Sequence, residues 1–268
     1  MYESRIPLVS VLFFVIALGA SMQSFALGGG VEMGYAATGQ YPTVRESGGT
    51  GCTVYRPRDL QANHSVILWG NGTGSSPTSY SGLLSHWASW GFVVVAANTP
   101  NAGTGRDMLQ CLDWLERSSL SSNVDLRKVG TSGHSQGGGG AIMAGVDPRI
   151  TASAPIEGYT LGLGHNRSSH DEQSGPMLIL SGSADTLVNP TLNHASLFQN
   201  INVPAFWAIL QGASHFEPVG DGGGFRGITT AWFLYQLDGS TDAAEFFEGS
   251  DCVYCVDASW EVSKKGLP

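Results

Sequence analysis

The stretch Lys128 to Ala141, KVGTSGHSQGGGGA, constrains the fold of this chain more than any other. A short strand-like run ends in Gly133-His134-Ser135-Gln136-Gly137 and passes directly into small residues able to start a helix. The spacing predicts a strand, a tight turn and a helix, with Ser135 at the apex. A serine on so sharp a turn sits at strained dihedrals, and side chains two positions to either side would collide with it. Glycine at Gly133 and Gly137 removes that collision. The turn would hold the hydroxyl above a sheet and place the Gln136 backbone N–H at a helix N-terminus, where an oxyanion could be stabilised.

In a chain with 37 glycines such a pentapeptide needs context. The 268 residues suit one α/β domain, and the net charge of −9, with no basic run, argues against a nucleic-acid partner. Ile6 to Leu18 is almost wholly apolar, follows Arg5, and leads to Ser24-Phe25-Ala26, a small-x-small cleavage pattern. Residues 1–26 are therefore expected to be a secretory signal peptide. The apolar run is shorter than the roughly 20 residues of a membrane span. Residues 27–268 are expected to form a single catalytic domain, secreted or periplasmic, and read as a monomer.

Four cysteines in an exported chain imply disulfides, and four allow three connectivities. The expected pairs are Cys52 with Cys111 and Cys252 with Cys255. A redox or zinc role for the C-x-x-C pair is disfavoured, because no helix start follows it and no histidine flanks it.

Along the chain, strands are expected at Cys52–Tyr55, Ser65–Trp69, Phe92–Ala96, Ile150–Pro155, Met177–Ser181 and Ala205–Leu210, the last clear strand. Helices are expected at Ser79–Trp90, at Gly103–Arg117, after Asn189-Pro190 and at Gly227–Leu237. Leu27 to Gly51 reads as a surface segment, and Thr160 to Gly175 as a polar loop over the site, too short for a lid domain. Alternating strands and helices predict a mostly parallel sheet.

Three chemically useful residues follow strands in this register: Ser135, Asp185 in Gly182-Ser183-Ala184-Asp185-Thr186, and His215 in Gly212-Ala213-Ser214-His215-Phe216. A serine hydroxyl needs a base to take its proton, imidazole suits that task near neutrality, and a carboxylate fixes the imidazole tautomer. Glu157, after a neighbouring strand, is the rival acid. The Gly-rich turn Gly70-Asn71-Gly72-Thr73-Gly74 lacks the distant acid of a dinucleotide site and the Lys of a P-loop. It is read as the source of the second oxyanion donor, Asn71 N–H, with Gly72 as the neighbouring candidate. His64, His86 and His194 are read as structural or surface residues, and His134 as packing beside the nucleophile. His165 and His170 have no strand to position them.

From Cys52 to Leu237 the chain resembles the α/β-hydrolase superfamily. Within it, the resemblance is to the bacterial cutinase-like and polyester-hydrolase group related to dienelactone hydrolases and chlorophyllases. The turn at Gly70, GHSQGGGG, SADTLVNP and ASHFEP carry the likeness. It implies a mostly parallel sheet flanked by helices, no large lid, and ester hydrolysis through an acyl-enzyme without metal or organic cofactor. Departures fall at Gln136, where the group commonly has Met, at Asn71, where an aromatic is usual, and at Tyr159, where a cleft Trp is usual. Tyr159 and Gly72 are thus expected to meet the ester substrate, small or polymeric. A small-ester or acetyl-carbohydrate esterase, a serine peptidase and a non-catalytic binding module are the other readings.

Overall fold

The computed structural model describes residues 34–268; the expected signal segment lies outside the described residues. In chain order the strands are β1 (Thr43–Gly48), β2 (Cys52–Pro57), β3 (His64–Gly70), β4 (Val93–Ala97), β5 (Val124–His134), β6 (Ala152–Ile156), β7 (Met177–Gly182), β8 (Ala205–Leu210) and β9 (Trp260–Lys265). They form one nine-stranded sheet in the order β1-β2-β4-β3-β5-β6-β7-β8-β9. From β4 to β8 every neighbouring pair is parallel. Antiparallel β2 and β1 close one edge and antiparallel β9 the other.

The two edge strands were not expected from the sequence. β1 reads TVRESG and β9 WEVSKK, and in both most positions are exposed or half-buried. Charged side chains on an edge strand deter pairing with other chains, and they also hide the strand in a hydropathy profile.

Successive residues of a central strand point to opposite faces, so each strand feeds two cores. Ile67 and Trp69 face one core, where helices α1 (Ser81–Ser89) and α6 (Phe225–Asp238) contribute Leu84, Trp87, Ile228, Trp232 and Phe233. Val66 and Leu68 face the other, packed by Met108, Leu112 and Leu115 of α2 (Arg106–Arg117). Beneath β7 and β8, Met177 and Ile179 meet Leu197 of α5 (Ala195–Asn200), which follows the short α4 (Pro190–Asn193). Each such fully buried large side chain contributes about 2 kcal/mol. Together these contacts fix the height and register of the strand ends that carry the site.

Both expected disulfides form. Cys52–Cys111 ties the first residue of β2 to α2, with a Cα–Cα distance of 5.9 Å, and Cys252–Cys255 closes a short loop. Among the described residues no helix is long and apolar enough to cross a membrane.

Candidate active site

β3 is flanked by β4 on one side and β5 on the other, so the loops leaving β3 and β5 diverge and open a crevice at their C-terminal ends. Ser135 stands there, between β5 and helix α3 (Gln136–Ala144), at φ 56° and ψ −118°. A Cβ at Gly133 would run into the Gly137 carbonyl, and one at Gly137 into the Gly70 carbonyl. The turn is held in place by Ser135 N–H to Ile156 O at 3.1 Å and by Tyr159 N–H to Ser135 O at 2.8 Å.

Ser135 Oγ lies 2.9 Å from His215 Nε2, and His215 Nδ1 lies 2.7 Å from Asp185 Oδ2. The other oxygen of Asp185 accepts the N–H groups of Leu187 at 2.8 Å and Val188 at 2.7 Å. Burial pushes the Asp185 carboxyl up, but the His215 hydrogen bond and these N–H groups outweigh it, so the group sits below its ordinary value. A charged Asp185 and a hydroxyl on the far ring nitrogen give His215 the geometry of a general base.

His134, next to Ser135, is not idle packing. Its Nε2 lies 2.8 Å from the His215 carbonyl and its Nδ1 2.8 Å from Tyr80 Oη, which also accepts the Gly72 N–H at 3.2 Å. Burial first, and then the neighbouring His215, pull the His134 pKa down to about 3, so the ring is neutral. Tyr80 was read in the sequence only as helix, and it heads α1 through a 3-10 turn, Pro77–Tyr80.

The cleft above Ser135 has a volume of about 490 Å³, and Gly72, Thr73, Tyr159, Leu163, Leu187, Phe216 and Val219 lie on its walls. Leu163, Leu187, Phe216 and Val219 are all large, apolar and exposed, so the mouth has a greasy rim. The Gln136 side chain links two of the lining residues, accepting from Thr73 Oγ1 at 3.1 Å and donating to Leu163 O at 3.1 Å. Tyr159 and Gly72 both line this cleft. Asn71 is 0% exposed and is not among the cleft-lining residues, and its side chain donates to the Ala97 and Thr99 carbonyls. The rim residues were missed, although Leu187 stands two positions after Asp185 and Phe216 directly follows His215.

The remaining histidines have other tasks. His86 bonds Tyr35 O and Thr230, His194 bonds Ser181 and Gly158 O, and His165 and His170 pair at 2.9 Å within the Thr160–Gly175 loop. A larger groove of about 650 Å³ lies around Tyr235, Glu245, Glu248 and Cys252. It is lined by carboxylates and hydroxyls but by no histidine that could pair with one of them as Ser135 is paired, so volume does not decide the site.

The PET hydrolase-like family model matches residues 30–261. The chain belongs to the PET hydrolase-like family. It is 28% identical over 207 residues to Cutinase est2 of Thermobifida alba, spanning 73% of this chain and 67% of that one. Against the bis(hydroxyethyl) terephthalate hydrolase of Streptomyces coelicolor it is 29% identical over 216 residues, 77% of this chain and 63% of that protein. Cutinase 2 of Thermobifida cellulosilytica is 28% identical over 208 residues, 73% of this chain and 77% of the relative. The nine-stranded sheet with its flanking helices is the α/β-hydrolase fold of cutinase-like enzymes. The chain is a cutinase-like carboxylic-ester hydrolase.

Proposed function

We propose that this hydrolase works through an acyl-enzyme on Ser135 and takes apolar esters, including insoluble polyesters. The observation that carries the reading is the unbroken line Ser135 Oγ, His215 Nε2, His215 Nδ1 and Asp185 Oδ2, with links of 2.9 Å and 2.7 Å, at the floor of a greasy-rimmed cleft. His215 takes the Ser135 proton as Oγ attacks the ester carbonyl. It returns that proton to the departing alcohol, then activates a water that releases the acid, and Asp185 holds the ring's tautomer throughout.

The developing oxyanion needs two donors, and Gln136 N–H at the start of α3 supplies one. For the second, Asn71 gives way to Thr73. Asn71 is sealed from the cleft, and Gly72 N–H already has Tyr80 Oη. Thr73 lies on the cleft wall and touches the Gln136 side chain. Tyr159, also on the cleft wall, offers a ring face to the acid half of the ester.

Export fits the two disulfides, which persist in oxidising compartments, and we read residues 1–26 as the signal and the mature enzyme as a monomer. The deciding experiment compares initial rates on p-nitrophenyl butyrate, bis(hydroxyethyl) terephthalate and an aliphatic polyester film, with Ser135→Ala as blank. Cleavage of film and soluble ester, both lost in the variant, supports the reading. Film cleavage equal to the blank restricts the enzyme to small esters. A fluorophosphonate that labels Ser135→Ala as well as the wild type overturns it.

A further inference from the structure

Glu157 follows β6 directly and is 0% exposed. Among the described residues neither of its carboxyl oxygens has a hydrogen-bond partner. Its backbone sits at φ 47°, a region that a residue with a side chain enters at a cost. An orphaned buried carboxyl and a left-handed backbone both destabilise the fold, so packing does not account for the residue.

Its surroundings do. Glu157 Oε2 lies 3.8 Å from His215 Nδ1, the nitrogen that Asp185 holds at 2.7 Å, and 3.5 Å from His134 Nε2. These separations are too long for hydrogen bonds and short enough for charge on one group to act strongly on the next. The charged or titratable groups that face it are His134 at the end of β5, Asp185 after β7, and His215 and Glu217 after β8. Burial above all, then Asp185 and Glu217, drive the Glu157 pKa up to about 9. One imidazole is thus flanked by two carboxyls of opposite protonation state, a division that marks distinct roles.

We propose that Glu157 is a second acid for His215, a positioning residue that stays a neutral carboxyl while Asp185 carries the charge and partners the ring once it ionises. The inference rests on the Ser135–His215–Asp185 reading given above. On ionisation the Glu157 proton passes to solvent hydroxide, and no bond to substrate is made or broken. The new carboxylate faces the Nδ1–H edge of His215 and stabilises the imidazolium that forms as Ser135 attacks. A shift of about 1 Å brings Oε2 within hydrogen-bond distance of Nδ1.

The test is the pH profile of kcat/KM on p-nitrophenyl butyrate, with Ser135→Ala as blank. The proteins are the wild type, Glu157→Gln, Asp185→Asn and the double variant. Wild-type kcat/KM should climb about fivefold through one alkaline step, the size expected of a modest screened charge interaction; Glu157→Gln should lack the step. Asp185→Asn favours the wrong ring tautomer. Its residual activity should therefore rise as Glu157 ionises, at lower pH than in the wild type because the Asp185 charge no longer opposes that ionisation. The double variant should lose this rise. Difference infrared spectra supply a readout independent of turnover: a neutral buried carboxyl band at pH 7 that vanishes in Glu157→Gln and, in the wild type, above the step. Superimposable profiles for wild type and Glu157→Gln, or absence of that band, overturn the inference and leave the triad standing. Activity surviving in Ser135→Ala overturns the triad reading and this inference with it.

Discussion

His134 donates its Nε2–H to the backbone carbonyl of His215 at 2.8 Å, so the residue before Ser135 holds the loop that brings His215 to it. A carbonyl only accepts, which places the ring hydrogen on Nε2 and leaves Nδ1 to accept from Tyr80 Oη–H. Tyr80 Oη in turn takes the N–H of Gly72, so one directed chain runs from the glycine-rich turn to the base.

Tyr80→Phe removes the middle of that chain while keeping the ring that packs on Trp69. We expect kcat to fall about tenfold with KM little changed, because geometry rather than binding is lost. Steady-state kinetics on a soluble ester check this; an unchanged kcat would show that Tyr80 only fills space.

Thr73→Pro deletes one backbone N–H and nothing else polar on the backbone. Thr73 follows Gly72 in a turn closed by Ser75 N–H to Gly72 O at 3.0 Å, and the second position of such a turn accepts proline. Loss of an oxyanion donor should reduce kcat by 100-fold or more, about 3 kcal/mol. Wild-type turnover in Thr73→Pro would return the donor to Gly72.

Stability should respond to pH through two opposed sets of groups. Glu157, raised to about 9, keeps a proton in the folded chain that the unfolded chain sheds above its ordinary range near 4.3. Its contribution is full below that range and lost as pH rises toward 9, by at most about 1.4 kcal/mol per pH unit. His86, His170 and His194, all pushed down to about 4 chiefly by burial, act the other way. They weaken the fold as pH drops from about 6.5 toward 4. Melting curves should therefore show Glu157→Gln gaining on the wild type steadily from pH 5 to pH 9. A gap that does not widen with pH would mean Glu157 is charged in the folded chain.

The two disulfides should differ in worth. Cys52–Cys111 closes a loop with a separation of 59 residues and Cys252–Cys255 one of 3, so chain entropy assigns about 4 and 2 kcal/mol respectively. Cys52→Ala/Cys111→Ala should lower the melting temperature by roughly 10 °C, about twice the effect of removing the C-terminal pair. Equal shifts would show that loop length does not set the worth of these two disulfides.

Much of this site was legible in sequence because it is written in strand ends. Ser135, Asp185 and His215 each come shortly after a strand, β5, β7 and β8 respectively, and position after a parallel strand is itself spatial information. Which N–H of Asn71, Gly72 and Thr73 faces the cleft depends on backbone direction, and Asn71 is turned inward by bonds to Ala97 and Thr99, more than twenty residues away. Glu157 could be noticed as an acid after a strand, but its want of a partner appears only when β5, β7 and β8 surround it. β1 and β9 escaped because an edge strand with one wet face has no apolar run to betray it.

The strand order also sets a timetable for the nascent chain. β9 pairs along the whole of β8, from Ala205 with Lys265 to Leu210 with Trp260, and Gln211 N–H reaches Ser259 O at 2.9 Å. The segment carrying His215 springs from that end of β8. Every residue of the triad is synthesised before β9, yet the strand that seats the base gains its second neighbour only when residues 260–265 arrive. Chains halted short of that point would leave β8 as a bare sheet edge, open to pairing with other chains.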